Sequence, residues 1–242
     1  MRLLSIVCII VAITCCTSCR LNTLKGSGNK TTANPTVASF NAVDINIPLK
    51  LDITVQAGSQ PGVQLSGYEN VIKHIKTKVE NNTLIKTTDL DDTWTIDGDG
   101  ITAQITLPAI IGLSLTGSPD ADVHGNITGS TFDIDVSGAS KITIDNINVD
   151  SFSMQVSGAG DLWVKGGAVK YAEYEISGAG DVKAFPLQSA ETVASISGAG
   201  TGEVTALQKL TANISGAGTV KYKGHPSVTQ DVSGAGAVKD AN

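Results

Sequence analysis

Two aspartates have a spacing that would bring their carboxyl groups together if the chain stacks its repeats. Asp161 and Asp181 each directly follow a Ser-Gly-Ala-Gly stretch, in consecutive copies of that stretch. On neighbouring strands in register, the two carboxyl groups would lie about 5 Å apart, the separation used by retaining glycosidases. Trp163 lies just beyond Asp161 and would offer an aromatic face to a sugar ring. These three residues are the candidate site of a polysaccharide hydrolase or lyase.

A simpler interpretation places the same residues on a solvated face. The equivalent positions in other repeats carry Lys141, Thr201, Thr219 and Ala237. Such variation is typical of a surface without a shared chemical task, and position in a motif is weak evidence for function. Trp163 is also typical of a partly buried aromatic beside a turn. We therefore expect exposed aspartates and keep polysaccharide cleavage as the alternative function.

No other residues form a catalytic or metal-binding pattern in the sequence. The three histidines, His74, His124 and His225, lie in separate regions without metal-ligand spacing. The serines of the repeats have no histidine and acid placed with them, and a serine hydroxyl needs such a base to become a nucleophile. The sequence thus predicts a protein without enzymatic activity, metal or cofactor.

The scaffold for all these residues is a short motif that recurs at nearly constant intervals. Five copies read Ser-Gly-Ala-Gly, one reads Ser-Gly-Ala-Ser, and a weaker copy precedes them. Successive hydroxyl residues are 21, 20, 20, 20, 18 and 18 positions apart, at Thr116, Ser137, Ser157, Ser177, Ser197, Ser215 and Ser233. A fixed period of this size is the signature of a solenoid.

Each repeat has the pattern of short strands. Apolar and polar residues alternate in 132–136 and 141–145, which predicts strands with one buried face. The predicted fold is all-β, a parallel β-helix with coils of about 18–21 residues. An antiparallel sandwich would also contain many short strands, but it does not need one motif at a constant interval. A disordered Gly-rich tract is disfavoured by the Ile, Val, Phe and Tyr residues between copies.

The N-terminus has the pattern of an export signal. Arg2 precedes the apolar run 3–13, which is too short to span a membrane. Thr17 and Ser18 precede Cys19 as in a bacterial lipoprotein signal, although an ordinary cleaved signal remains the alternative. Cys19 is the last of the four cysteines in the chain, so cleavage before it leaves one unpaired cysteine, and lipidation would explain it. We predict a signal peptide at 1–18 and lipid attachment at Cys19.

The remaining chain divides by composition. Residues 19–37 are polar and predict a flexible tether. Residues 38–115 predict a strand-rich N-terminal head, and 116–242 the Ser-Gly-Ala-Gly β-helix. The sequence leaves open whether the head and the repeats form one continuous solenoid.

The order of these motifs resembles a known family. Gly-Tyr-Glu-Asn-Val (67–71), an Asn-Asn turn, Ile-Thr-Leu-Pro (105–108) and serial Ser-Gly-Ala-Gly copies are similar to the putative auto-transporter adhesin, head GIN domain family, over roughly residues 40–240. The resemblance implies a right-handed parallel β-helix, often with a lipoprotein signal, in Bacteroidetes. It implies no established biochemical activity.

Charge and composition limit the partners. The formal charge is −6, and loss of residues 1–18 removes Arg2 and no acid, which gives −7. Without a basic patch we expect no nucleic-acid partner. We expect a lipid-anchored outer-membrane protein, on the periplasmic side rather than the cell surface, with an adhesin-like or scaffold role towards an envelope protein or glycan. Open coil ends also predict end-to-end homo-oligomers.

Overall fold

The structure, a computed structural model, describes residues 22–91 and 93–242. The predicted signal peptide and Cys19 lie outside the described residues. The described N-terminal part contains one short helix, α1 (Glu69–Ile72), and nine strands: β1 (Asn22–Leu24), β2 (Lys30–Ala33), β3 (Ala42–Ile45), β4 (Lys50–Val55), β5 (Gly62–Tyr68), β6 (Ile75–Glu80), β7 (Thr83–Thr88), β8 (Trp94–Ile96) and β9 (Thr102–Leu107).

The repeat region follows with strands only. Its strands are β10 (Gly112–Gly117), β11 (Asp120–Gly138), β12 (Lys141–Gly158), β13 (Asp161–Val164), β14 (Gly167–Gly178), β15 (Asp181–Gly198), β16 (Thr201–Gly216), β17 (Thr219–Lys223), β18 (Ser227–Gly234) and β19 (Ala237–Asp240). Neighbouring coils pair in parallel throughout this region.

The coils stack with equivalent motif residues in register. Ser157 pairs with Ser137 below and Ser177 above, and the neighbouring glycines pair in the same way. The predicted parallel β-helix is therefore confirmed, and one coil corresponds to one repeat of the sequence. The antiparallel sandwich and the disordered tract are wrong for this chain, because every motif strand is hydrogen-bonded to its parallel counterpart.

The glycines of the motif allow consecutive coils to approach closely. Gly178 has a φ of +140°, a region that residues with a side chain rarely adopt. A Cβ atom there would overlap the carbonyl oxygen of Gly158 in the preceding coil. That carbonyl accepts a hydrogen bond of 2.9 Å from the N–H of Ala179. The motif is thus a backbone-to-backbone contact that a side chain would block.

Apolar side chains fill the interior of each coil. The residue that precedes the motif is buried in five of the six full copies, at Val136, Val156, Ile176, Ile196 and Ile214. Phe132 stacks on Phe152 with ring centroids 5.9 Å apart, and Tyr174 meets Phe152 edge-on at 5.7 Å. Burying a side chain of this kind stabilises a fold by about 1.5–3 kcal/mol, so each coil depends on its neighbours.

The N-terminal head continues the same solenoid. Strand β3 pairs in parallel with β10 on one side and β7 on the other, and β4 pairs with β11 and β9. The ladder therefore runs unbroken across the boundary between 38–115 and 116–242. Strands β2, β5 and β6 then pair antiparallel, and α1 buries Val71 and Ile72 there. These elements cover this end of the solenoid.

Part of the segment predicted as a flexible tether is paired in this structure. Strand β1 pairs with β8, and β2 pairs antiparallel with β5. Between them, the Asn70 side chain accepts from the N–H of Ser27 and donates to the carbonyl of Lys25, at 2.9 and 2.8 Å. The polar composition did not reveal this, because an edge strand gains its hydrogen bonds through the backbone and needs few apolar residues.

No helix of the described residues is long and apolar enough to cross a membrane.

Candidate functional site

One face of the solenoid carries a shallow groove, lined by polar side chains and by the apolar residues between them. We call this the motif face, formed by the strand segments that lead into each motif copy (112–117, 131–138, 151–158, 171–178, 191–198, 209–216 and 227–234). Two depressions of about 250 and 430 Å³ lie on it and share Glu175 and Ser177. Seven stacked coils at about 4.8 Å each make the groove about 29 Å long.

Two rows of stacked side chains line the groove. The hydroxyl row is Thr116, Ser137, Ser157, Ser177, Ser197, Ser215 and Ser233. The outer row, two positions earlier in each coil, is Ser114, Asp135, Gln155, Glu175, Ser195, Asn213 and Asp231. Strand alternation places both rows outward, because the residue between them faces the core.

The groove is acidic. Asp135, Glu175 and Asp231 are the ionisable residues among those that line it, and none of its lining residues is basic. Burial, and then the neighbouring Asp135 carboxylate, raise the pKa of Asp133, which lies on the same face. The rows can therefore accept and donate hydrogen bonds to hydroxyl, amide or ammonium groups, and they repel anions.

The aspartates predicted from the sequence lie on a different surface, the post-motif face (120–123, 141–144, 161–164, 181–184, 201–204, 219–222 and 237–240). Asp161 and Asp181 are half-buried and occupy neighbouring coils in register. Asp161 Oδ1 accepts from the N–H of Asp181 at 3.0 Å, and Asp181 Oδ1 accepts from the N–H of Thr201 at 3.1 Å. Each carboxylate therefore caps the backbone of the next coil.

The predicted tryptophan is in contact with the protein's own cations. The ammonium groups of Lys141 and Lys183 lie 4.9 and 4.8 Å from the Trp163 ring centroid. These are cation–π distances. A sugar that stacks on this half-buried ring would have to displace a lysine.

A larger depression, of about 660 Å³, lies where the 98–102 loop meets the post-motif face. Its charged residues are Lys50, Asp99, Asp120, Asp122 and Lys141, and the tryptophan and paired aspartates do not line it. Lys50 already pairs with Asp122 at 3.3 Å, and Asp120 Oδ1 accepts from the N–H of Lys141 at 2.9 Å. This depression therefore contains charges of both signs, and several of its charged groups already have a partner within the protein.

A further cluster of ionisable residues surrounds His124 at the surface. His124 Nδ1 lies 3.2 Å from Asp145 and its Nε2 3.7 Å from Asp52. Lys165 contacts Asp145 at 2.8 Å, and this hydrogen bond is the main reason why the pKa of that carboxyl is lowered. Within 22–91 and 93–242, no three acidic, histidine or cysteine residues are grouped to hold a metal ion.

Reasoning from the sequence missed the outer row of the groove. The repeat period could have revealed this row. Once the motif serines are stacked, the residues two positions earlier are stacked as well, so that Asp135 lies between Ser114 and Gln155. It also missed Lys86, which is fully buried and donates to Thr77 Oγ1 at 2.9 Å. Burial lowers the pKa of Lys86 to about 8. The sequence contained one indication of this burial: in β7, Lys86 lies two positions after the buried Leu84 and therefore on the same face of the strand.

Solved structures share this fold. A putative adhesin from Bacteroides fragilis is 24% identical, with a TM-score of 0.83 over 90% of this chain and 99% of that one. A putative adhesin from Parabacteroides distasonis is 20% identical, with a TM-score of 0.71 over 91% of this chain and 100% of the other. A structure described as a putative lipid binding protein from the same organism is also 20% identical, with a TM-score of 0.68 at the same coverage.

Comparison with curated proteins gives no match. The family model described as putative auto-transporter adhesin, head GIN domain, matches residues 39–226. That range begins just before β3 and includes both faces described above except their last segments, 227–234 and 237–240. The chain therefore belongs to the putative auto-transporter adhesin, head GIN domain family.

Proposed function

We propose that the chain is a lipid-anchored, non-enzymatic protein of the cell envelope that binds an extended glycan along its motif face. The observation that carries this proposal is the continuous groove, lined by two rows of hydroxyl, amide and carboxylate groups. A shallow groove of constant period suits a polymer better than a compact small molecule. Family membership and neighbours described as adhesins support a binding role.

The charge of the groove narrows the glycan class. Three carboxylates line it and no cation does, so a polyanion would meet repulsion along its length. Neutral sugars and amino sugars can donate hydroxyl or ammonium hydrogens to the carboxylates. The favoured ligand is therefore a neutral or amino-sugar polymer.

The anchor would hold this groove at the membrane. Cys19 is the proposed attachment residue, and the outer membrane, on its periplasmic side, is the proposed site. Palmitate labelling of cells that express the chain tests the attachment. Label that is retained in a Cys19→Ala variant would contradict it.

A titration of the full-length chain with three oligosaccharides of equal length tests the ligand class. The probes are a chitin octamer, its de-N-acetylated cationic form and an octamer of galacturonate. We expect the cationic form to bind best and the galacturonate not to bind. The triple variant Asp135→Asn, Glu175→Gln and Asp231→Asn should lose the preference for the cationic form.

The matched control neutralises the post-motif face instead. Asp161→Asn with Asp181→Asn should bind as the native chain does, since these carboxylates do not line the groove. Equal binding of all three probes, or loss of binding in this control, would contradict the proposal. Cleavage of a probe that this control abolishes would instead support the polysaccharide-active alternative.

A further inference from the structure

The C-terminal end of the solenoid is open. Strands β18 and β19 each pair with one neighbour among the described residues, β16 and β17 respectively. No strand of the described residues lies beside their outer edges, which therefore present unpaired backbone N–H and C=O groups. All residues of β18 are exposed, whereas the opposite end is covered by the antiparallel strands and α1.

Residues at core positions are exposed at this end. Val228 and Val232 lie directly above the buried Leu210 and Ile214 and are 38% and 37% exposed. Gln230, between them, lies above the buried Ala212. The apolar interior of the last coil is thus left in contact with solvent, and apolar burial is the main force that would cover it.

We propose that two copies of this chain associate through their open C-terminal ends, with β18 of one copy pairing antiparallel to β18 of the other about a twofold axis. The inference does not rest on the proposed glycan binding, although β18 is also the last segment of the motif face. A second copy matches because its open end has the same coil width and the same strand length. The covered head end offers no matching parallel coil edge, so association stops at a dimer.

The sequence of β18 is self-complementary about its centre. Its inward residues read Val228, Gln230 and Val232. A twofold axis through Gln230 places Val228 of one copy opposite Val232 of the other, and the two Gln230 amides opposite each other. On the outer side, the same register places Thr229 opposite Asp231. Two valine contacts and an amide pair result, and no like charges meet across this strand pair.

Sedimentation equilibrium of the full-length chain in density-matched detergent tests the association. We expect a concentration-dependent dimer that the double variant Val228→Lys and Val232→Lys converts to a monomer. The control Ile111→Lys changes an apolar residue of similar exposure, 43%, far from the open end, and should leave the dimer intact. A native monomer at all concentrations, species larger than a dimer, or a dimer that survives the double variant would overturn the proposal.

A charge exchange at the centre of the strand tests the twofold register. Gln230→Glu and Gln230→Lys each place like charges opposite each other, so each variant alone should dimerise at least about tenfold more weakly. An equimolar mixture should restore the dimer as a heterodimer, because opposite charges then meet. Circular dichroism confirms that both variants fold. A mixture that associates no better than either variant alone would overturn the twofold contact.

Discussion

At the scale of the residue, the motif glycines and the serines beside them have different roles. Gly178 uses a positive φ and contacts the backbone of the preceding coil. The neighbouring Ser177 projects into solvent and belongs to the hydroxyl row. The repeat in the sequence revealed both positions, but only the stacked coils show that glycine serves the backbone contact while serine serves the surface.

Substitution of these two neighbours should separate the roles. Gly178→Ala should lower the free energy of unfolding by roughly 3 kcal/mol or more, because the Cβ meets the Gly158 carbonyl and φ is unfavourable. Ser177→Ala should change it by less than about 0.5 kcal/mol. Urea denaturation of both variants measures the difference. Equal stabilities for the two would contradict the assigned roles.

Because Lys86 is buried, we expect the free energy of unfolding to rise with pH. Burial lowers its pKa from 10.5 to about 8, so between these values the unfolded chain binds more protons than the folded one. Below pH 8 the buried ammonium group destabilises the fold by its full amount, and this destabilisation disappears as the pH rises to 10.5. Full removal of the cost corresponds to about 3 kcal/mol.

The variant Lys86→Met tests this at two pH values. We expect it to stabilise the fold by about 1–3 kcal/mol at pH 7, and by much less at pH 10, because the native lysine is then mostly neutral. The exposed Lys170→Met is the control and should show no such dependence. Urea denaturation at both pH values gives the result. A gain of the same size at both would mean that burial of the charge is not the cause.

At the scale of the element, each strand is defined by its parallel neighbours. The period of the sequence predicted this for the repeats, because motif residues recur at nearly constant intervals. It could not predict how β5, β6 and β2 pair, since single antiparallel strands have no period and their partners are set by tertiary contacts. Strands β1 and β2, which lie in the predicted tether, each pair with one distant strand, β8 and β5, and the local composition does not indicate such a partner.

Asp161 and Asp181 act between strands, because each side chain accepts a hydrogen bond from the backbone of the next coil. Asp181→Ala removes one of two acceptors of the Thr201 N–H, since the Gly180 carbonyl also lies 3.2 Å from it, and should cost up to about 1 kcal/mol. Asp181→Asn keeps an oxygen at that position and should cost less. Thermal unfolding of both variants measures the order. A larger loss for the Asn variant than for the Ala variant would contradict the capping role.

At the scale of the molecule, a ladder that is closed at the head and open at the tail presents two long faces of different character. The motif face is acidic and continuous, whereas the post-motif face is crossed by ion pairs and lysine–tryptophan contacts. The sequence directed attention to Asp161, Asp181 and Trp163, because charged and aromatic residues are the usual signs of chemistry. Eight of the fourteen residues in the two rows of the groove are serines, and their importance depends on their stacking.

The most direct test of the account is hydrogen exchange of the full-length chain with and without the de-N-acetylated chitin octamer. Amides of the motif face, in 131–138, 151–158, 171–178 and 191–198, should gain protection, because a bound polymer covers their strands. Amides of 141–144, 161–164 and 181–184 should stay unchanged. Protection confined to the post-motif face, or no protection at saturating octamer, would contradict the claim that the motif face is the ligand surface.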